Sequence, residues 1–464
     1  MSSELSVSQD WNESQMQEFC VKVADGTHDS PKKTEQGKLL VTSKNIIGGT
    51  LDLTKSYRIS EEDFNDVNRR SKVDINDVLL SMIGTVGEVC LIENEPDFAI
   101  KNVGLLKNHD PLKAKWLYFY LTSPLAQAQI KERLRGTTQQ YLPLGEIRKF
   151  PIIYPESRTV MQEIVGVLAA LQDKIQLNHQ INQTLEQIAQ AIFKSWFVDF
   201  EPVKAKIAAL EADGSEEDAL LASMQAISGK DEAQLNHLRA EQPEQYVELR
   251  VTANLFPASM HEGECGAIPE GWMVSSIGTE VEVKGGGTPP TKNKEYWEEG
   301  TIHWSSPKDL SNSQSKVMIS TERKITEAGL SKISSGLLPE DTVLMSSRAP
   351  VGYLALAKIP VAINQGYIGM VCKKRLQPEY VIQWAASVMD DIKQRSSGTT
   401  FAEISKKNFR EIPVIVPSDD LISRYCEIAR TQYSAIELNL RNSNDLSEIR
   451  DSLLPKLLSG ELEA

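Results

Sequence analysis

The polar side chains that could do chemistry in this chain stand beside glycines, at places that recur. In the second half these are Thr288, Lys292 and Lys294, then Ser346, Ser347 and Arg348, then Asn364 and Gln365, then Thr399 and Thr400. In the first half they are Thr27, His28, Lys32 and Lys33, then Lys101 and Asn102, then Arg135, Thr137, Thr138, Gln139 and Gln140. Arginine and lysine can bond the acceptor edge of guanine, while asparagine and glutamine can bond adenine in a bidentate way. Serine, threonine and backbone amides hold phosphates and set position. As groups these residues suit a face for nucleic acid. Singly, each also suits an ordinary turn or strand end.

Motifs for catalysis are missing. There is no GxxxxGK[ST] loop to cradle a nucleotide. The one Pro-Pro, in GTPPTK, is not the Asn/Asp-Pro-Pro-aromatic signature that grips an amino group during methyl transfer. No glycine-rich fingerprint follows a strand as a dinucleotide or S-adenosylmethionine site would require. The six histidines form no metal-ligand spacing, and no acidic-acidic-Lys nuclease triad stands out. These absences point away from an enzyme.

The elements that must position the polar groups come in two copies. RGTTQQYLPLGEIRKFPIIYP (135–155) and SGTTFAEISKKNFREIPVIVP (397–417) align without a gap at an offset of 262, with seven of 21 positions identical. DVLLSMIGTVGEVCLI (77–92) resembles DTVLMSSRAPVGYLAL (341–356), FAIKNVGLLK (98–107) resembles VAINQGYIGM (361–370), and DGTHDSPKK (25–33) stands in the place of GGTPPTKNK (286–294). Four blocks in one order mark a duplicated domain. Short apolar runs broken by Gly and Pro read as strands. Residues 116–134 and 379–396 each read as one amphipathic helix, with Gly136 and Gly398 as the helix-stopping residues beyond.

Each copy runs into a long helical pattern. Ile164, Leu168, Leu171, Ile175, Asn178, Asn182, Leu185, Ala189, Ile192 and Trp196 form an unbroken heptad seam with two asparagines at its centre. Adding 261 gives a weaker seam from Tyr425 through Asn439 and Ser443 to Leu457, carrying Gln432 and Arg450, with Pro455 expected to end the helix. A buried Asn lowers stability but selects one register. Each helix could pair with another molecule; the reading preferred is antiparallel pairing within the chain, with Asn178, Asn182, Asn439 and Ser443 setting register. A helix of about 36 residues is roughly 54 Å long. That suits reading two DNA segments about one helical turn apart, roughly 34 Å.

The resulting fold class is α+β: two pseudo-repeated mixed domains separated by two long helices packed as an antiparallel coiled coil. The boundaries expected are 1–157 and 267–418 for the domains, 158–200 and 419–464 for the helices, and 201–266 for an acidic insert. That insert reads as a solvated surface segment or, alternatively, as a dock for another subunit.

At 464 residues the chain exceeds one ordinary core. Its net charge of −14 argues at first against nucleic acid, but residues 201–260 alone hold 11 acidic and 5 basic side chains. The segments 1–160 and 261–420 are near neutral, so either could present a basic face. Five scattered cysteines without a CxxC pair suggest reduced thiols. The opening MSSELSVSQDW lacks signal-peptide character and no membrane span is apparent, so a cytoplasmic protein is expected.

The order of half, long helix, half, long helix resembles the specificity (S) subunit of type I restriction–modification enzymes. The resemblance rests on DGTHDSP, DVLLSMIGTVGEV, DTVLMSSRAPVGYLAL, GTTQQYL, GTTFAEI, the first long helix, IPEGW (268–272) and LLPKLLSGEL (453–462). It implies that each half is a target recognition domain reading one part of a bipartite, asymmetric double-stranded DNA target. It implies that the helices set the unread spacer and dock two methyltransferase (M) subunits, with motor-nuclease (R) subunits completing the enzyme. S-adenosylmethionine, ATP and magnesium would be used by those partners, and this chain would itself be non-catalytic. The alternatives are a self-contained methyltransferase or nuclease fragment, and a coiled-coil scaffold without a DNA role.

Overall fold

The computed structural model describes residues 11–137, 139–263, 266–311, 313, 315–348, 350–397 and 402–459. The chain divides into two compact units, residues 1–176 with 443–464, and residues 177–442.

In the first unit a four-stranded antiparallel sheet runs in the order Lys22–Asp25, Val103–Lys107, Val78–Ser81, Val89–Leu91. Its strands are almost wholly buried because both faces are covered, which is why VLLS and VGLLK read as continuous apolar runs. A second sheet holds Tyr57–Ile59, Lys38–Thr42 and Phe98–Lys101, the last two parallel. Strand Trp11–Gln15 closes the domain by pairing antiparallel with Pro151–Pro155.

The second unit repeats this plan. Its larger sheet has the order Glu282–Gly285, Tyr367–Val371, Thr342–Ser346, Leu354–Ala357, Val317–Met318. Its smaller sheet holds Arg323–Ile325, Ile302–Ser305 and Ala362–Ile363. Met273–Ser276 pairs with Pro413–Val416 as the closing ribbon. The copies match in detail. Arg148 reaches the carbonyl of Val23, and Arg410 that of Val283. Ser81 and Ser346 each donate a side-chain bond four residues ahead and accept one seven residues ahead.

The two long helices are Arg158–Phe197 and Asp419–Ser459. They run antiparallel. In the first unit, Leu454 and Leu457 share a core with Ile164 and Leu168. In the second, Tyr425 donates its hydroxyl to the carbonyl of Ala189 at 3.3 Å. The expected intramolecular coiled coil is therefore present.

Four local expectations need correction. The stretch 116–134 is not one helix: Pro111–Thr122 and Pro124–Glu132 meet at Ser123, whose extended backbone (ψ 148°) follows from the proline after it. Its counterpart is likewise split, into Pro378–Ser387 and Met389–Gln394. Gly136 lies beyond the C-cap Arg133, in a turn (φ 90°) closed by bridges between Arg135 and Tyr141; Gly398 lies outside the described residues. Pro455 does not end its helix, because burial of Leu454 and Leu457 on either side outweighs one lost backbone bond.

The described part of the insert, residues 201–263, has a small core of its own beneath its exposed surface. It forms helices Glu201–Glu211, Glu216–Ser228, Glu232–Glu241 and Pro243–Asn254, around a small core of Leu220, Met224, Leu235 and Ala253. Val203 and Phe256 belong to the main core of the second unit. Arg424 of the second long helix bonds Thr252 at 2.9 Å and Glu248 at 2.7 Å. Acidic residues face outward while every third or fourth position is apolar, so composition alone hides this packing.

Candidate nucleic-acid interface

The polar groups of the first half gather at one end of the four-stranded sheet. Strand Lys22–Asp25 ends there, and strand Val103–Lys107 begins beside it, with Asp25 opposite Gly104. The chain then crosses at Gly26, where a side chain would overlap the carbonyl of Ile100. Only glycine permits that approach, and it places Thr27 in a bridge with Lys101.

His28 bonds Asn102 Oδ1 through Nδ1 at 2.8 Å and lies 2.9 Å from the buried Asp25 through Nε2. Asn102 is held left-handed (φ 54°), a conformation that asparagine tolerates, and donates its amide to Thr27 O at 3.1 Å. Lys101 donates to Ser30, and Lys33 stands 5.2 Å over the Tyr57 ring. Lys32 is exposed.

The same sheet end carries the turn after Val78–Ser81, and Ile83 bridges to Tyr141. That bridge brings the 135–141 loop to the cluster's side of the sheet. Thr137, Gln139 and Gln140 are exposed on it, and Arg135 pairs with Glu146 at 3.1 Å. Thr138 lies outside the described residues.

The second half builds the equivalent place with other side chains. Gly286 passes so close to the carbonyl of Ile363 that no side chain fits. Thr288 then donates to Gln365 Oε1 at 2.5 Å. Asn364 Oδ1 accepts the amide of Gly366, and the Ser347 amide donates to Gly366 O at 2.8 Å. Gln365 is exposed, and Arg348 is half-buried 4.0 Å from Glu403. A groove of about 430 Å3 opens between Gly286, Ser347, Gln365, Glu403 and Lys406.

Ser346 is fully buried, its hydroxyl spent on Pro350 O and the Tyr353 amide, so it shapes the turn and cannot meet a ligand. Ser347 is also buried and tied through its backbone, its carbonyl accepting from Ile404. Lys292 and Lys294 are exposed farther along the loop, where Lys294 pairs with Glu298. Neither bonds to the Thr288–Gln365 pair among the described residues. Thr399 and Thr400 lie outside the described residues.

Sequence reasoning passed over several side chains. Lys406 follows the repeated GTT block and could have been found from that position. Arg323 stacks 3.5 Å over the Trp297 ring, a contact that no spacing announces. In the helix pair, Asn439 donates to Asn182 Oδ1 at 2.8 Å, and Asn178 donates to Asn442 Oδ1 at 3.0 Å. Ser443 is buried. Asn442 falls off the heptad seam, so the seam alone does not select it.

The duplication is also what the comparisons find. Residues 8–187 and 269–424 match the family described as "Type I restriction modification DNA specificity domain". The chain belongs to that family. The HindI specificity subunit of Haemophilus influenzae is 35% identical to this specificity subunit over 345 residues, 72% of this chain and 73% of that one. The MjaIX specificity subunit of Methanocaldococcus jannaschii is 35% identical over 189 residues, 40% of this chain and 43% of its own. The crystal structure of the S subunit from M. genitalium aligns over 98% of both chains with a TM-score of 0.47 and 16% identity.

The two recognition domains of this specificity subunit fit a bipartite target. The alternatives of a methyltransferase or nuclease fragment and of a scaffold without a DNA role find no support in these matches. Among the described residues, no helix is long and apolar enough to cross a membrane. Among them, too, no three His, Cys, Asp or Glu side chains cluster to hold a metal ion.

Proposed function

We propose that each sheet-end cluster reads one half of a split, asymmetric DNA target, and that the helix pair sets the unread spacer between them. The observation that carries this reading is the pair of equivalent clusters with unlike chemistry. One scaffold presents His28, Asn102 and Gln139 in the first copy and Gln365 and Arg348 in the second. Equal scaffolds with different hydrogen-bonding edges suit two different half-targets. Thr27, Thr288 and the lysines serve phosphates, which fix position without sequence information.

The long helices also dock two methyltransferase subunits, and motor-nuclease subunits join that complex. Methyl transfer and cleavage belong to those partners, as do S-adenosylmethionine, ATP and magnesium; this chain supplies recognition. Co-expression with the neighbouring methyltransferase gene, followed by single-molecule sequencing for N6-methyladenine, tests the reading. Two short specific blocks around an unread gap are expected. A soluble complex that leaves no split motif would refute it.

A further inference from the structure

Within the second unit, a single carboxylate oxygen ties both long helices to one helix and one sheet edge of the recognition domain. Glu186, on the first long helix, accepts through Oε1 from Lys316 Nζ at 2.8 Å, Gln383 Nε2 at 2.8 Å and the Tyr433 hydroxyl at 3.4 Å. Lys316 immediately precedes the sheet's edge strand Val317–Met318, and its carbonyl accepts from Leu356 at 2.7 Å. Gln383 lies on helix Pro378–Ser387, and Tyr433 on the second long helix. Gln383 spends its other amide hydrogen on the Tyr433 hydroxyl, at 2.8 Å. Both are completely enclosed, and burial pushes the Tyr433 phenol far up, so it stays a donor.

Among the described residues, the first copy shows no such knot. The helix position matching Glu186 at the 261 offset is Ser447, which bonds back to Ser443 O of its own helix. The position matching Tyr433 is Gln172, which accepts from Arg450 at 2.8 Å. The stretch matching Gln383 is Phe119-Tyr120-Leu121, buried in the first unit's core. There the domain meets the helices through apolar side chains such as Ile164, Leu168, Leu454 and Leu457, and through Arg158 at the start of the first long helix, which bonds Asp110 at the surface. Apolar contact is non-directional and tolerates sliding and rotation. A charge-assisted bond to a lysine, with two further donors on one oxygen, fixes both distance and angle.

We infer that Glu186 is a positioning residue that fixes the orientation of the second recognition domain on the helix pair, and thereby the spacer length at which the second half-target is accepted. This rests on the DNA reading proposed above. Loss of the knot leaves the reading face untouched but loosens the domain on the helix pair, where the Arg430–Glu379 pair at 2.9 Å and the apolar contacts remain. Spacer choice then broadens while both half-sequences stay the same.

The test uses the complete complex with its methyltransferase partner and DNA duplexes whose spacer is the native length or one or two base pairs longer or shorter. Glu186→Gln and Lys316→Met keep volume and remove the charge pair; Glu186→Leu removes all three bonds. Each variant is expected to lose about tenfold in discrimination between native and altered spacers, taken as the ratio of kcat/KM values. The methylated half-sequences should not change, and Ser447→Ala should leave the spacer profile as in the wild type. If Glu186→Gln and Lys316→Met fold, methylate the native target and keep the wild-type profile, Glu186 is a stability contact only and the inference falls. A wild-type complex that methylates no split motif is a separate outcome, which would remove the proposed function itself.

Discussion

Asn439 of the second long helix donates its amide to Asn182 Oδ1 of the first at 2.8 Å, with Asn182 buried and Asn439 half-buried in the helix pair. A buried amide pair of this kind satisfies itself only in one register. Replacing Asn182 alone with leucine removes this bond from the Asn439 amide, at a cost of about 1–3 kcal/mol. Replacing both should return stability to the wild-type level or above, since a matched apolar pair needs no partner. Urea melts of the two single variants and the double variant measure this coupling.

A methyl group at Gly286 would overlap the carbonyl of Ile363, and one at Gly26 that of Ile100. Gly286→Ala and Gly26→Ala are each expected to destabilise by about 1–3 kcal/mol through forced backbone movement. Thermal melts report the loss. Methylation should fail because one half-target is no longer read, a different one for each variant.

Ser346 and Arg348 are two residues apart and should behave differently. Ser346→Ala removes both bonds of the buried turn and lowers stability by about 1 kcal/mol or more. Arg348→Ala should leave the melting curve unchanged and weaken DNA binding by the complex. If Arg348 meets a base, only one block of the methylated motif relaxes; if it meets a phosphate, the slope of log affinity against log salt falls by about one unit. Asn102→Ala should affect only the opposite block.

His303 sits in the smaller sheet of the second unit, where its Nδ1 lies 3.0 Å from the Thr321 hydroxyl. Burial, with the nearby Lys324 charge, holds its pKa below the ordinary 6.5. The folded chain thus binds fewer protons at this site than the unfolded chain. Stability is full above 6.5 and is lost as pH falls through the lower folded value. His303→Asn should flatten that part of the curve, read from denaturant midpoints between about pH 8 and about pH 5.

A four-residue insertion in each long helix beside the asparagine layer adds about 6 Å to the helix pair. The spacer of the methylated motif should lengthen, with both outer blocks retained. Unchanged spacing would show that the helices do not set it.

The duplication and the helix seam were legible in the sequence because both rest on repetition, which survives without knowing any contact. The break at Ser123 was hidden because the residues on both sides are apolar and helix-prone, leaving only Pro124 to signal it. Ser346 looked like a ligand because hydroxyls read as polar wherever they sit, and only the fold shows that two backbone groups consume this one. Asn442 was missed because antiparallel partners need not share a heptad position. Pro455 misled because local propensity weighed more in the sequence than the burial of Leu454 and Leu457.

In each half a strand near the start lies beside the last one: Trp11 is opposite Pro155, and Ser276 is opposite Pro413. Everything between them starts and finishes at nearly one point. A segment held that way is a cassette, replaceable by another of different length without moving the ground on which it stands. One recombination event between such paired strands would give the chain a new half-target in a single generation, with its helices unaltered.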